Sequence, residues 1–321
     1  MKKSIALLFI SLFFYITQVS AAPTYRAFVT DERGDTLTVI DTRTYKVEKT
    51  LTVGKRPRGI GLSPDGTRLY VAVSAENKIA VVDPKTLKVL RKIPAGSDPE
   101  TFAVHPNGHL YISNEDDAQA SVVDPNTGKL IAEIPVGIEP EGVAVAPNGE
   151  KVIVTSESTN MLHVIAVPEH QLIANILVGS RPREAHFTAD SQFAFASAEI
   201  GGEVVKVDMN SYKVIQKASL ADVLPAAKPK DIRLSLDGKT LFVATGRANA
   251  IAVLDADTLQ LQTSIPVGKR VWGLALSHDG KHLYTTNGAS DNVSVIDTST
   301  YKVIATIPTG KAPWGVVIDD K

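Results

Sequence analysis

Between Tyr25 and Asp319 the chain alternates short apolar runs, rich in β-branched residues, with segments of Gly, Pro, Asp and Asn. No stretch carries the period of an amphipathic helix. The runs fall into sets of four. RGIGLS, RLYVAV, KIAVVD and KVLRKIPAG, within residues 58–96, make one set, and the pattern predicts four short strands joined by tight turns. The third run ends in Asp at Asp41, Asp83, Asp124, Asp208, Asp255 and Asp297. Their separations of 42, 41, 84, 47 and 42 residues place a seventh, degenerate copy at Ala166 in VIAVPEH. Glycines closing each set repeat with the same period at Gly54, Gly96, Gly137, Gly179, Gly268 and Gly310. The copy near Ala227 is missing where SLADVLPAAKP lengthens its set.

The punctuation has a chemical reason. In SPDG, HPNG, APNG, SLDG and SHDG an Asp or Asn precedes a Gly that can take positive φ, which suits a tight hairpin. In DPKT and its relatives the Asp carboxylate can accept backbone N–H groups of the turn that follows, so the repeated aspartates read as structural. Seven sets of four antiparallel strands predict an all-β fold, a seven-bladed β-propeller of four-stranded antiparallel blades. The ends of the chain supply a check. YRAFVT near the start matches a second strand and WGVVID at the end matches a first strand, so pairing of the N- and C-terminal strands would close the ring and remove an open edge.

Ahead of the repeats, Lys2 and Lys3 precede an apolar run over 5–16, and Val19-Ser20-Ala21 offers small residues before a cut at Ala22. This predicts a signal peptide over 1–21, too short to serve as a membrane anchor, and a single propeller domain over 22–321 exported to the periplasm as a monomer. Thirty-four Lys and Arg against 35 Asp and Glu leave a net charge of −1, which argues against nucleic acid as a partner. The absence of cysteine excludes disulfides, thiolate catalysis, Cys-ligated metals and haem attached through C-x-x-C-H.

At LYVAVS, LYISNE, LFVATG and LYTTNG the copies resemble the YVTN family of β-propeller repeats, over essentially the whole mature chain. Longer phrases, among them GKRPRGIGLSPDG, SDPETFAVHPNGHLYISNEDD, GSRPREAHFTAD and VGKRVWGLALSHDGKHLYTTNG, resemble the seven-repeat subfamily associated with PQQ-dependent alcohol catabolism. That resemblance implies a periplasmic accessory role beside a quinoprotein alcohol dehydrogenase or its transport system. It carries no catalytic residues with it.

Positions that differ among copies are the candidates for function. The loops after the closing glycines should ring one mouth of the central channel. They carry Arg56, Asp98, Glu139, Arg181, Lys228, Arg270 and Ala312, then Arg58, Glu100, Glu141, Arg183, Lys230, Trp272 and Trp314. In ring order this reads as an acidic sector, a basic sector and two adjacent tryptophans. Guanidinium forks suit carboxylates and indole faces suit planar rings, so Arg56, Arg58, Arg181, Arg183, Lys228, Lys230, Arg270, Trp272 and Trp314 are candidates to hold an aromatic polyanion such as PQQ, or to dock a protein. Facing the channel, most inner strands carry small residues, but two carry Glu184 and His186 beside Asp231 and Arg233, a charge cluster that serves either as pore-filling ion pairs or as an acid–base or ligand-anchoring site. The acidic loop residues Glu115, Asp116, Asp117, Glu157 and Glu199 suit Ca²⁺, a basic partner or solvent. The pairs His105 with His109 and His278 with His282 straddle hairpin turns at the opposite mouth, which disfavours zinc.

The expectation from sequence is therefore a non-catalytic periplasmic binding propeller that serves quinoprotein alcohol oxidation through its charged mouth. The alternative is a metal-dependent hydrolase or lactonase-like enzyme using Glu184, His186 and Asp231, and a third reading is a structural scaffold.

Overall fold

The structure, a computed structural model, describes residues 21–321; the predicted export signal lies outside them apart from its last residue, Ala21. Twenty-eight strands, numbered in chain order, form seven four-stranded antiparallel sheets arranged as a ring of blades, with two short 3₁₀ turns as the helical content. No helix among the described residues is long and apolar enough to cross a membrane.

One blade illustrates all seven. From the channel outwards it runs β4 (Pro57–Leu62), β5 (Leu69–Val73), β6 (Lys78–Asp83) and β7 (Lys88–Pro94). The two middle strands are buried along almost their whole length, because each face of a blade packs on the neighbouring blade. This is why LYVAV and KIAVVD read as near-continuous apolar runs. The outer strand β7 is exposed apart from Ile93, so its Val89 and Leu90 face water.

The core is divided among seven clusters, each shared by two adjacent blades. Phe28, Leu37 and Val39 of one blade pack on Leu69, Val71 and Ala80 of the next, and Ile153, Leu162 and Val164 meet Phe187, Val205 and Val207 in the same way. The seventh cluster joins Ala27, Val29 and Ile40 to Tyr284, Val293 and Val295, which closes the ring. The closure is covalently staggered as expected. The C-terminal strand β28 (Pro313–Asp319) pairs antiparallel with β1 (Arg26–Asp31) inside the blade completed by β2 (Thr36–Asp41) and β3 (Lys46–Thr52).

The repeated aspartates hold their turns as the sequence predicts. Asp83 Oδ1 accepts the N–H groups of Lys85 and Thr86, both at 2.9 Å, and Asp41, Asp208, Asp255 and Asp297 do the same in their blades. The copy lacking Asp turns instead through a cis Val167–Pro168 bond.

Candidate functional site

Seven inner strands line the channel, and six of them, each beginning near a closing glycine, share a bulge. In β4, β8 (Pro99–Val104), β12 (Pro140–Val145), β16 (Pro182–Phe187), β24 (Val271–Leu276) and β28 the register shifts between the first residue and the fourth. A bulge frees a residue from the ladder and re-aims its side chain. The residues inside these bulges include Arg58, Glu100, Glu141, Arg183 and Trp272, which explains why this position carries the variable chemistry. An inter-blade hydrogen bond then fixes it. Thr30 Oγ donates to the Arg58 carbonyl at 2.7 Å, Ser113 Oγ to that of Glu141 at 2.5 Å, Thr155 Oγ to that of Arg183 at 3.1 Å and Thr286 Oγ to that of Trp314 at 2.8 Å, while Ser197 Oγ holds the carbonyl of Lys230.

The preceding loop residues Arg56, Asp98, Glu139, Arg181, Arg270 and Ala312 all lie at positive φ between 41° and 61°, a region side chains rarely adopt. The strain is locked by the loop that follows each second strand. The N–H groups of Glu115, Glu157 and Glu199 donate to the carbonyls of Asp98, Glu139 and Arg181, and Glu32 N–H donates to Ala312. The two sets of loops therefore open on one mouth, and their carboxylates and guanidiniums meet there.

They meet as ion pairs. Arg56 Nη1 lies 2.9 Å from Asp98 and Arg56 Nη2 lies 3.3 Å from Glu100, while Arg58 is held by Glu32 at 2.8 Å and by the fully buried Glu100. Across the acidic blades, Arg183 reaches Glu141 at 2.9 Å, Glu199 at 2.6 Å and also Glu157, and Arg181 reaches Glu157 at 2.5 Å. Lys230 Nζ sits 2.5 Å from Glu199. The separate acidic and basic sectors expected from ring order are thus interlocked, because each basic loop is flanked by acidic loops close enough to pair. Of the cations proposed to grip an anion, Arg270 and Lys228 are the two with no carboxylate partner among the described residues; Lys228 contacts the Ile200 carbonyl and Arg270 lies over the Trp272 ring at 5.3 Å.

Trp272 and Trp314 stack at 6.0 Å with an interplanar angle of 28°. Their faces are already used: Lys230 Nζ lies 4.1 Å from the Trp272 centroid, Arg183 at 5.4 Å, and Arg58 lies 5.8 Å from that of Trp314. The indoles act as a platform for the protein's own cations.

Below the mouth lies a cavity of about 560 Å³ in the channel, lined on one side by Glu184, His186, Asp231 and Arg233. On the other inner strands Gly142, Gly273 and Gly315 lie where a Cβ would strike the backbone of the next inner strand: at Gly273 it would lie 2.5 Å from the Trp314 carbonyl. Glycine lets those strands close up. Glu184 and Asp231 take the place of glycine at the same register, in β16 and just ahead of the three-residue β20 (Ile232–Leu234). Asp231 Oδ1 takes the Arg233 guanidinium at 2.5 Å and the Ile232 N–H at 2.7 Å, and its Oδ2 takes the Leu274 N–H at 2.7 Å. Glu184 accepts one hydrogen bond, from the Ala185 N–H at 3.0 Å. Burial, and then the charge of Asp231, push its carboxyl up to about 8, so it keeps a proton at neutral pH. Burial and the Arg233 charge push His186 down to about 3, so its ring is neutral.

The ligand atoms of Glu184, His186 and Asp231 do not converge on one point. Among the described residues the carboxylates that do are Asp98, Glu100 and Glu115, within 4.8 Å of one another, and there Arg56 and Arg58 already supply the positive charge. The three side chains named for a metal-dependent reaction are thus not gathered about one point, and the carboxylates that are gathered already pair with guanidiniums. The histidine pairs stay apart from the channel; His105 Nε2 contacts the Gly149 carbonyl at 2.8 Å. Glu32 escaped the sequence reading, although TDE at 30–32 aligns with SNE at 113–115 and identifies it.

Fold and site together define a closed seven-bladed propeller with an ion-paired mouth above a polar channel cavity. The sequence matches the family described as Lactonase, 7-bladed beta-propeller, over residues 22–133 and 143–303, and the chain belongs to that family. Similar solved structures include a functionally unknown protein from Desulfotomaculum acetoxidans (TM-score 0.79, 18% identity, 92% of this chain and 99% of that one). They also include a putative 6-phosphogluconolactonase from Bacteroides uniformis (0.76, 18%, 91% and 98%) and Kuenenia stuttgartiensis hydrazine synthase (0.76, 22%, 82% and 90%). At these identities the likeness concerns the fold. No curated protein matches the sequence.

Proposed function

We propose that this propeller admits a small oxygenated organic molecule to its channel cavity and hydrolyses it as a lactone, with Glu184 as acid and Asp231 as base. The observation that carries this reading is a pair of buried carboxyls on adjacent inner strands in different settings: Glu184 accepts one backbone N–H, whereas Asp231 accepts a guanidinium and two backbone N–H groups, and burial raises both. Hydrogen bonds to the charged form favour ionisation, which makes Asp231 the member suited to accept a proton and Glu184 the one suited to hold it. Asp231 takes a proton from water as the water oxygen bonds to the lactone carbonyl carbon. The ring C–O bond then breaks, Glu184 gives its proton to the departing alkoxide, and the proton on Asp231 restores Glu184. A cavity of about 560 Å³ suits a ligand of this size. Membership of the lactonase propeller family supports the same reaction class.

The repeat phrases shared with propellers of PQQ-dependent alcohol catabolism favour a setting for this activity: an exported, periplasmic protein working beside a quinoprotein alcohol dehydrogenase. PQQ itself is a weaker candidate ligand at the mouth, since the guanidiniums of Arg56, Arg58, Arg181 and Arg183 are already paired with Glu32, Asp98, Glu100, Glu141, Glu157 and Glu199, which leaves that of Arg270. The test is a pH-stat assay on five- and six-membered lactones. Glu184→Gln and Asp231→Asn should each lower kcat/KM by about 10²-fold or more, the range for loss of a general acid or base. Wild-type rates no higher than those of Asp231→Asn would defeat the proposal.

A further inference from the structure

The two ends of the channel cavity differ. At the charged mouth Arg58, Arg183 and Lys230 are held in ion pairs and against the two tryptophans, and their side chains are 14, 11 and 5% exposed. Side chains therefore fill that end. At the other end the wall is made by the turns that follow β12, β16 and β20, through Pro147, Ala189, Ser235 and Leu236, and both Ala189 and Leu236 are exposed. Arg233 sits between that end and the carboxyl pair, because β20 runs from the charged mouth towards its turn and Arg233 comes two residues after Asp231. Its guanidinium is only partly engaged. Nη1 donates to Asp231 Oδ1 at 2.5 Å and to the Ile232 carbonyl at 2.7 Å, which uses both of its hydrogens. Nε and Nη2 have no partner among the described residues, and the side chain, 29% exposed, lines the cavity. We propose that the channel admits a small carboxylate through the turn-lined mouth and holds it on the Nε–Nη2 edge of Arg233.

Two parallel N–H groups on one guanidinium edge match the two oxygens of a carboxylate, the strong, two-pronged form of charge-assisted pairing. Asp231 takes Nη1 and so does not compete for that edge. Glu184 makes no ion pair with Arg233, which leaves the fork open to a ligand. The residues that end β8, β12, β16 and β20 on the side of the turns are Val104, Val145, Phe187 and Leu234, all in the cavity wall. Beyond the fork the wall therefore suits a hydrocarbon chain. The chemistry selected is a monocarboxylate with a short aliphatic chain. A phosphate monoester would bring close to two negative charges beside Asp231 with a single edge to hold them. This inference rests on the channel being the small-molecule site of the proposed function, and on nothing in the hydrolytic roles of Glu184 and Asp231.

The experiment is calorimetric titration of the mature protein at neutral pH with hexanoate and, as the uncharged counterpart, hexanamide. The expected result is about one hexanoate per chain, bound at least about tenfold more tightly than the amide. Arg233→Lys keeps a positive charge beside Asp231 and removes the fork, so it should weaken hexanoate binding by about ten- to a hundredfold. Ala189→Trp narrows the turn-lined mouth at an exposed position and leaves Arg233 intact. It should weaken binding by about tenfold while the melting temperature holds. Equal affinity for hexanoate and hexanamide, or an Arg233→Lys variant that binds hexanoate as tightly as the wild type, overturns the proposal. Loss of hexanoate binding in Arg270→Gln but not in Arg233→Lys would overturn it too, by placing the anion at the charged mouth. Hexanoate binding without lactone hydrolysis would sink only the hydrolytic reading, and hydrolysis without hexanoate binding only this one.

Discussion

Asp31 shows how one residue can depart from its own repeat. It ends the second strand of its blade, where it faces Thr36, and the equivalent residues in two other blades are Asn114 and Asn287, facing Gln119 and Asn292. The amide of Asn114 donates to the Ala95 carbonyl at 2.5 Å and accepts from Ser121 at 2.6 Å. Asp31 is fully buried and accepts from Thr36 and Thr38, both at 2.8 Å, yet its Oδ1 has no partner. Burial pushes it up to about 6, against hydrogen bonds from Thr38, Thr36 and the Gly310 backbone. A folded-state value above the ordinary 3.8 means that the stability tied to the proton is present at pH 4 and lost as pH rises through 6. Asp31→Asn should therefore stabilise the protein by about 1–2 kcal/mol at pH 7.5 and change little at pH 4. Urea midpoints at the two pH values check this, and an equal effect at both would refute it.

At the scale of elements, the terminal strand β28 does the work of a clasp. It supplies the inner strand of the first blade, and Val316 joins the cluster of Ala27, Val29 and Tyr284 that seals the last blade to the first. Asp319 adds a second tie by accepting the N–H and hydroxyl of Thr24 at 2.9 and 2.6 Å. Deleting residues 312–321 exposes the edge of β1 and the inner face of that cluster, a loss of several kcal/mol against a total of about 5–15. The truncated protein should aggregate or melt at least about 10 °C lower in a thermal scan. An unchanged melting temperature would mean that the ring does not depend on its clasp. The bulged inner strands are a contrasting kind of element. They send Phe102, Val143, Phe187 and Leu274 into the core clusters, while their bulges present Arg58, Glu100, Glu141, Arg183 and Trp272 at the mouth.

For the whole molecule, the buried charges make stability a function of pH. Glu184 and Glu157 have folded-state values of about 8 and 7, both raised chiefly by burial, Glu184 then by Asp231 and Glu157 then by Glu141. Each holds an extra proton when folded, so each contributes stability below its unfolded value that fades as pH rises through the folded one. His186 works in the opposite sense but only below its ordinary 6.5, and Lys230, at about 8, opposes them only above that pH. Between pH 6.5 and 8 the carboxyls stand alone, and the protein should lose about 1–2 kcal/mol. Chemical denaturation across that window measures it. A flat profile would show that neither carboxyl is protonated in the folded state, and the acid role of Glu184 would go with it.

The number of blades, their four strands, the Asp-held turns and the terminal closure are all legible in the sequence, because each is local or repeated. A turn needs only neighbouring residues, and a period of about forty-two residues survives the loss of an Asp at Ala166 or of a glycine near Ala227. Even the clustering of variable charges at one mouth follows from counting forward from each closing glycine. The partners of those charges do not follow. Arg183 is joined to Glu141, Glu157 and Glu199, which come from one bulged inner strand and two loops, and Arg58 to Glu32 and Glu100. Such pairing depends on the few ångströms between neighbouring loops and on bulges that turn the side chains. Likewise, carboxyls and glycines at one register of the inner strands line a cavity whose shape no linear pattern records, and only the packing of adjacent blades sets Lys230 against Trp272 and Glu199.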